Sequence, residues 1–284
     1  MNVNCLLKII ILLSITLSPV AVSDVIIRSP FGTKLIFSEK KSGKNYDADA
    51  WGKLSFKGHG ETIDLGIDGR YFTESASSHV SPSGKYLVVN SISGGYLYSA
   101  DGTKKYVDRA YCSVIDMEKG CYISDWTGGA CGYDWRENED ILENSPGSDT
   151  FDFLSFRPRI KHVKDNLSSL YTATVKVYLR CDAPDQTNIN TYQELIKVNK
   201  KAKPLTTKYI TKYLSSITTE KTIITKSYLF SSPDNNNQTK AYLVSGDKIK
   251  VIQNSPDNKW VNMGYINAKG TPLIAWVMAD ALAK

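Results

Sequence analysis

The segments KAYLVSGDKIKVI (Lys240–Ile252), KWVNMGYI (Lys259–Ile266) and AWVMADAL (Ala275–Leu282) decide how the chain is read. In the first, Lys248 and Lys250 alternate with Ile249 and Val251, the period of two expected of a strand with one buried face. Ser245-Gly246-Asp247 supplies the turn before it. Working outward, Tyr228–Phe230, Lys240–Val244, Lys248–Ile252, Trp260–Ile266 and Leu273–Met278 read as five short strands. The polar loop Asp234–Asn237 and the turn Asn267–Gly270 separate them. Roughly 60 residues of short strands bury a core by closing on themselves, so a small barrel is expected.

The same order of segments resembles the bacterial SH3-like (Src-homology-3-like) domains of exported proteins, over Thr222 to Lys284. That family implies a β-barrel that binds peptidoglycan peptides or protein partners. The family's Gly-Trp before the last strand is Ala275-Trp276 here. The positions that match the proline-binding groove of eukaryotic members are Met278, Asp280 and Ala281, which lack that groove's chemistry. The expected contact face is therefore Tyr228, Phe230, Trp260, Tyr265 and Trp276. The competing reading of these aromatics is that they fill a small core.

The chain opens as a secretory signal over residues 1–23. Lys8 precedes the apolar run Ile9–Leu17, and Ala21-Val22-Ser23 is a small-residue site, so cleavage is expected after Ser23. No later stretch is apolar enough to span a membrane, which predicts a periplasmic or secreted protein without a transmembrane segment after cleavage. Cys5 leaves with the signal. Cys112, Cys121, Cys131 and Cys181 remain, an even number that reads as two disulfides with three possible pairings. No pair has Cys-x-x-Cys spacing and no His lies among them, so no metal site is expected. The formal charge of +6 is too dilute for nucleic-acid binding.

Residues 24–203 show mostly strand patterns, and the whole chain is expected to be all-β. Ser29-Pro30-Phe31-Gly32 and Ser81-Pro82-Ser83-Gly84 each lead, three positions on, into Leu and two apolar residues. Pro presets a turn and Gly admits a conformation that a β-carbon resists. SPSGKYLVV (Ser81–Val89) and the hairpin SVIDMEKGCYIS (Ser113–Ser124) resemble the blades of TolB-type β-propellers. The resemblance implies a propeller-like meander, and a β-sandwich accommodates the same hairpins. Further strands are expected at Phe151–Phe156, Tyr171–Leu179 and Thr191–Val198. A linker at 204–220 follows, with a short helix at Thr206–Ile217 carrying Tyr209, Ile210, Tyr213, Leu214 and Ile217 on one side. The barrel then occupies 221–284.

Three histidines, His59, His79 and His162, lie outside any recognisable catalytic pattern. Neither a Gly-x-Ser-x-Gly elbow nor a phosphate-binding glycine loop occurs. Acids sit beside aromatics at Asp125, Trp126, Tyr133, Asp134 and Trp135, the materials of a glycan cleft. Two functions follow as expectations. One is a non-catalytic binding protein, without cofactor, that recognises peptidoglycan or an envelope protein, for instance as an inhibitor or immunity protein against an envelope-directed toxin or hydrolase. The other is a cell-wall glycan hydrolase acting through the acids near Trp126 and Trp135.

Overall fold

The computed structural model describes residues 24–41, 50–73, 80–126, 130–144, 147 and 149–283. The expected signal at 1–23, His79 and the side chain of Trp126 lie outside the described residues. Strand accounts for 44% of the chain and helix for 23%, all sheets are antiparallel, and the all-β class holds. Among the described residues no helix is long and apolar enough to cross a membrane.

The N-terminal part is one meander of eight strands: β1 (Val25–Arg28), β2 (Lys34–Lys41), β3 (Ala50–Gly58), β4 (Glu61–Asp64), β5 (Arg70–Thr73), β6 (Tyr86–Tyr98), β7 (Lys104–Asp116) and β8 (Cys121–Trp126). Strands pair in chain order, except that β4 hangs from β3 while β3 also pairs β5. The sheet rolls, so that Ile27 of β1 and Met117 beyond β7 share one core with Phe37, Trp51, Phe56 and Phe72. The two Ser-Pro-x-Gly turns therefore lie in one sheet and touch: a β-carbon on Gly84 (φ +72°) would strike the Pro30 ring. Likewise Thr33 Oγ1 donates to the Met117 carbonyl, joining the β1–β2 and β7–β8 turns.

The other face of β6 and β7 is covered by a small sheet, β9 (Tyr133–Trp135), β10 (Leu142–Asn144) and β11 (Thr150–Phe151). Tyr86, Val88, Cys112 and Val114 point toward it, while Leu87, Val89 and Ile115 point into the rolled core. Burial on both faces explains why β6 begins as the unbroken apolar run YLVV rather than an alternation. The disulfide Cys112–Cys131 holds the covering segment in place.

Two expected strands are helices. Residues Thr172–Cys181 form α1 and Ile189–Val198 form α2, followed by α3 at Lys203–Ser216. The alternation in TATVKVYL also places Val175 and Leu179 four apart, and the helix buries that pair. Tertiary packing here overrides the β-propensity of Thr and Val. The expected Phe151–Phe156 strand ends at Phe151 and continues as a 3-10 turn, Phe153–Phe156. The expected linker helix, α3, is one of three that pack together through Tyr192, Leu195, Ile210 and Leu214, a core that also includes Ile252 and Ile274 of the next sheet. A β-carbon on Gly264 would collide with Leu214, so glycine there lets α3 approach closely.

The helices are fixed to the first sheet by Cys121–Cys181, the second disulfide. Beside it, Arg157 Nη2 donates to Asp116 Oδ2 at 2.8 Å and its Nη1 donates to the Cys181 carbonyl at 3.2 Å. Asp116 is fully buried and also accepts the N–H groups of Glu118 and Lys119.

The C-terminal sheet contains all five expected strands and one more. They are β12 (Glu220–Thr222), β13 (Ser227–Phe230), β14 (Gln238–Leu243), β15 (Lys248–Asn254), β16 (Trp260–Ile266) and β17 (Pro272–Met278), in the order β12-β15-β16-β17-β13-β14. Leu229, Leu243, Ile249, Val261, Met263 and Val277 form its core. The end of the chain returns beside β12, where the Ala283 N–H donates to the Thr222 carbonyl at 2.9 Å.

Candidate functional site

The five C-terminal aromatics fall into three places rather than one face. Register puts Phe230 opposite Trp276, and Trp260 opposite Met278. Phe230, Trp260 and Trp276 are consequently buried together with Met278, with the Phe230 and Trp260 rings edge-on at 4.7 Å. Tyr265 is half-buried and donates to Asp247 Oδ1 at 3.3 Å; partial burial, reinforced by that carboxylate, raises its phenol pKa. Tyr228 alone is exposed, paired edge-on with Tyr242 across β13 and β14 at 6.1 Å. Lys226 Nζ lies 4.3 Å from the Tyr242 ring centre and 5.5 Å from that of Tyr228, a cation over two aromatic rings.

The acid-and-aromatic stretch is also divided. Asp125 Oδ1 accepts Arg70 Nη1 at 2.5 Å and Ser113 Oγ at 2.6 Å, so its charge is already paired. Arg70 Cζ in turn lies over the Tyr111 ring, 3.7 Å from its centre. Ser113 shares a strand face with Ile115, opposite to Cys112 and Val114, which the β9 side of the molecule covers. Tyr133 and Trp135 lie there: Trp135 packs against Tyr86 and Phe153, and Tyr133 donates to Asp149 Oδ2 at 2.7 Å, which raises its phenol pKa. Asp134 stands opposite Glu143 in the register. Trp126 ends β8 opposite Cys112, and its side chain lies outside the described residues. Asp125 and Asp134 thus do not flank one cleft as a pair of glycosidase carboxylates would.

A feature not anticipated from the sequence stands out. β6 and β7 pair over 13 positions, but β5 reaches only to Ser93 and β8 only to Cys112. From Gly94 to Tyr98 and Lys104 to Asp108 the hairpin pairs, among the described residues, with no third strand and is a two-stranded ribbon about 17 Å long at normal strand rise. Along it Tyr96, Leu97 and Tyr98 are 46%, 61% and 70% exposed. Tyr96 faces Tyr106 directly, rings 5.3 Å apart, and Lys104 Nζ sits 3.8 Å from the Tyr96 centre. The Tyr106 ring lies across Gly94, where a β-carbon would collide with it. The tip is an Asp-Gly turn: Gly102 has φ +81°, and Asp101 Oδ1 accepts the Thr103 N–H at 2.9 Å. The signals in the sequence were Gly94-Gly95 ahead of Tyr96-Leu97-Tyr98 and the Asp101-Gly102 turn, a hairpin signature flanked by aromatics.

Of the histidines, His59 adopts φ +53° in the β3–β4 turn, and its Nε2 lies 2.9 Å from the Glu118 carbonyl; it serves the roll of the sheet. Among the described residues no group of His, Cys, Asp and Glu is arranged to hold a metal ion. Comparison with protein-family models, curated proteins and solved structures finds no match.

Proposed function

We propose that this chain is a non-catalytic binding protein of an extracytoplasmic compartment, which grips a protein partner with the β6–β7 ribbon. The observation that carries this reading is the ribbon itself. An isolated two-stranded hairpin is marginal in water, yet this one presents three consecutive large apolar or aromatic side chains to solvent. Tyrosine is favoured at such contacts, since its ring buries much area at small entropic cost. Two disulfides fit an oxidising environment, and the apolar run of the first 23 residues supplies the export route. In this reading the C-terminal sheet is an SH3-like module and the partner is an envelope protein, with inhibition or immunity against an envelope-directed toxin or hydrolase as the job.

Purification of the tagged protein from envelope extracts, beside a variant in which residues 94–108 are replaced by a two-residue Asn-Gly turn, tests this. A protein recovered with the full chain in near-equal amount, and absent with the trimmed variant, is expected. The same recovery with both chains, or none with either, contradicts it. A second reading assigns peptidoglycan to the exposed Tyr228–Tyr242–Lys226 patch. Retention on purified sacculi, lost in Tyr242→Ala with the ribbon intact, supports that one instead.

A further inference from the structure

A concave region separates the β3–β4 hairpin from α1 and α3. It is a cleft of about 620 Å3 with apolar walls that include Phe56 and Leu205. Five cations line it: Lys119 from the β7–β8 turn, Lys176 and Arg180 from α1, and Lys208 and Lys212 from α3. Glu61 is the one carboxylate among the lining residues, and none of the five cations forms a salt bridge among the described residues. Each helix places its two cations four residues apart, on the same side, where like charges repel. Two such pairs facing one cleft give it a positive potential that Glu61 offsets only in part.

Arg180 gives the strongest indication. Its Nε is shielded from solvent and has no hydrogen-bond partner among the described residues. Such a charged donor is expensive to leave unsatisfied. Burial also lowers the pKa of the guanidinium. The position is rigid, since Cys181, the next residue, is bonded to Cys121 and its carbonyl is held by Arg157.

We propose that this cleft binds a phosphate-type oxyanion, with Arg180 offering its planar fork and Lys176, Lys208 and Lys212 closing around the charge. Arginine and lysine supply complementary geometry for that group, the first directional and the second a point charge. This site is separate from the ribbon and does not depend on the function proposed for it.

Calorimetric titration of the whole protein with inorganic phosphate, at ionic strength held constant with chloride, tests the site. Saturable binding to one site is expected, weakened about tenfold or more in Lys208→Ala/Lys212→Ala. Both lysines are exposed on α3, and circular dichroism checks that the variant folds; Lys176→Ala, on the other helix, is expected to weaken binding in the same direction. Co-sedimentation with phosphatidylglycerol vesicles, against phosphatidylcholine vesicles, distinguishes the source. Binding that phosphate competes away assigns a lipid headgroup, and phosphate binding without vesicle binding assigns a free phosphate or soluble ester. Absence of saturable phosphate binding, or equal affinity in the wild type and the lysine variants, overturns the proposal.

Discussion

Residues Tyr86–Val89 and Tyr96–Tyr98 belong to one strand, and both are rich in large apolar side chains. The first set is buried on both faces, between the rolled core and the β9–β11 sheet. Among the described residues the second pairs with no strand but its own hairpin partner. The same local pairing therefore serves two ends. At the base, packing fixes the strand and local propensity matters little. At the tip, the cross-strand Tyr96–Tyr106 pair and the Asp-Gly turn hold the ribbon, each contributing a fraction of a kcal/mol to about 1 kcal/mol. Conformation is shared along the hairpin, and stability is not.

The largest expected effect lies at the base. Asp116→Ala removes the buried partner of Arg157 and leaves that cation facing a vacated site, which costs about 3–5 kcal/mol in urea unfolding. A loss under 1 kcal/mol would mean that the sheet and the helical layer are not joined through this pair. Replacing Cys112 and Cys131 with Ser opens a loop whose ends are 19 residues apart and should cost about 3 kcal/mol. If the two-serine variant matches the parent, the β9–β11 cover is held by packing alone.

The sharpest contrast sets Ile115→Val against Leu97→Ala. Ile115 is fully buried and Leu97 is 61% exposed. Removing one methylene at 115 is expected to cost about 0.5–1.5 kcal/mol. Removing three carbons at 97 stays within about 0.5 kcal/mol. Equal costs at the two positions would erase the distinction between base and tip.

The smallest effect is at the turn. Hydrogen bonding from the Thr103 backbone, then from its side chain, lowers the pKa of Asp101 below its ordinary 3.8. A depressed carboxylate stabilises the fold above that ordinary value, and the contribution fades as pH falls through the lower folded value. Exchange protection of the ribbon amides in wild type should thus exceed that of Asp101→Ala near neutral pH, with the difference shrinking in acid below 3.8. A difference that grows on acidification would contradict this assignment.

How much was legible varied with the kind of signal. The C-terminal strands were readable because Lys248–Val251 alternates cleanly and Gly246 and Gly270 punctuate it. α1 was not, since TATVKVYL satisfies a period of two and a spacing of four at once, and only the neighbouring helices decide between them. In α2 the signal was present: Tyr192, Leu195 and Ile196 recur at helical spacing, and Asp185 accepts the N–H groups of Thr187 and Asn188 just ahead of it. The cysteines announced two disulfides, but pairing required the roll that brings Cys121 beside Cys181. Among the aromatics, sequence gave no means of separating Trp276, a core residue, from Tyr242, which lies at the surface. The ribbon is hidden for a related reason: its residues read like any strand, and what distinguishes it is that no third described strand pairs with it.

Photo-crosslinking in living cells tests the ribbon most directly, with the probe placed at position 97 and, as a control, at Val198, an exposed apolar residue at the end of α2. One discrete adduct is expected from 97, abolished by Tyr96→Ser/Tyr98→Ser, and none from 198. Matching adducts from both positions, or none from 97 in cells that make the protein, would contradict it.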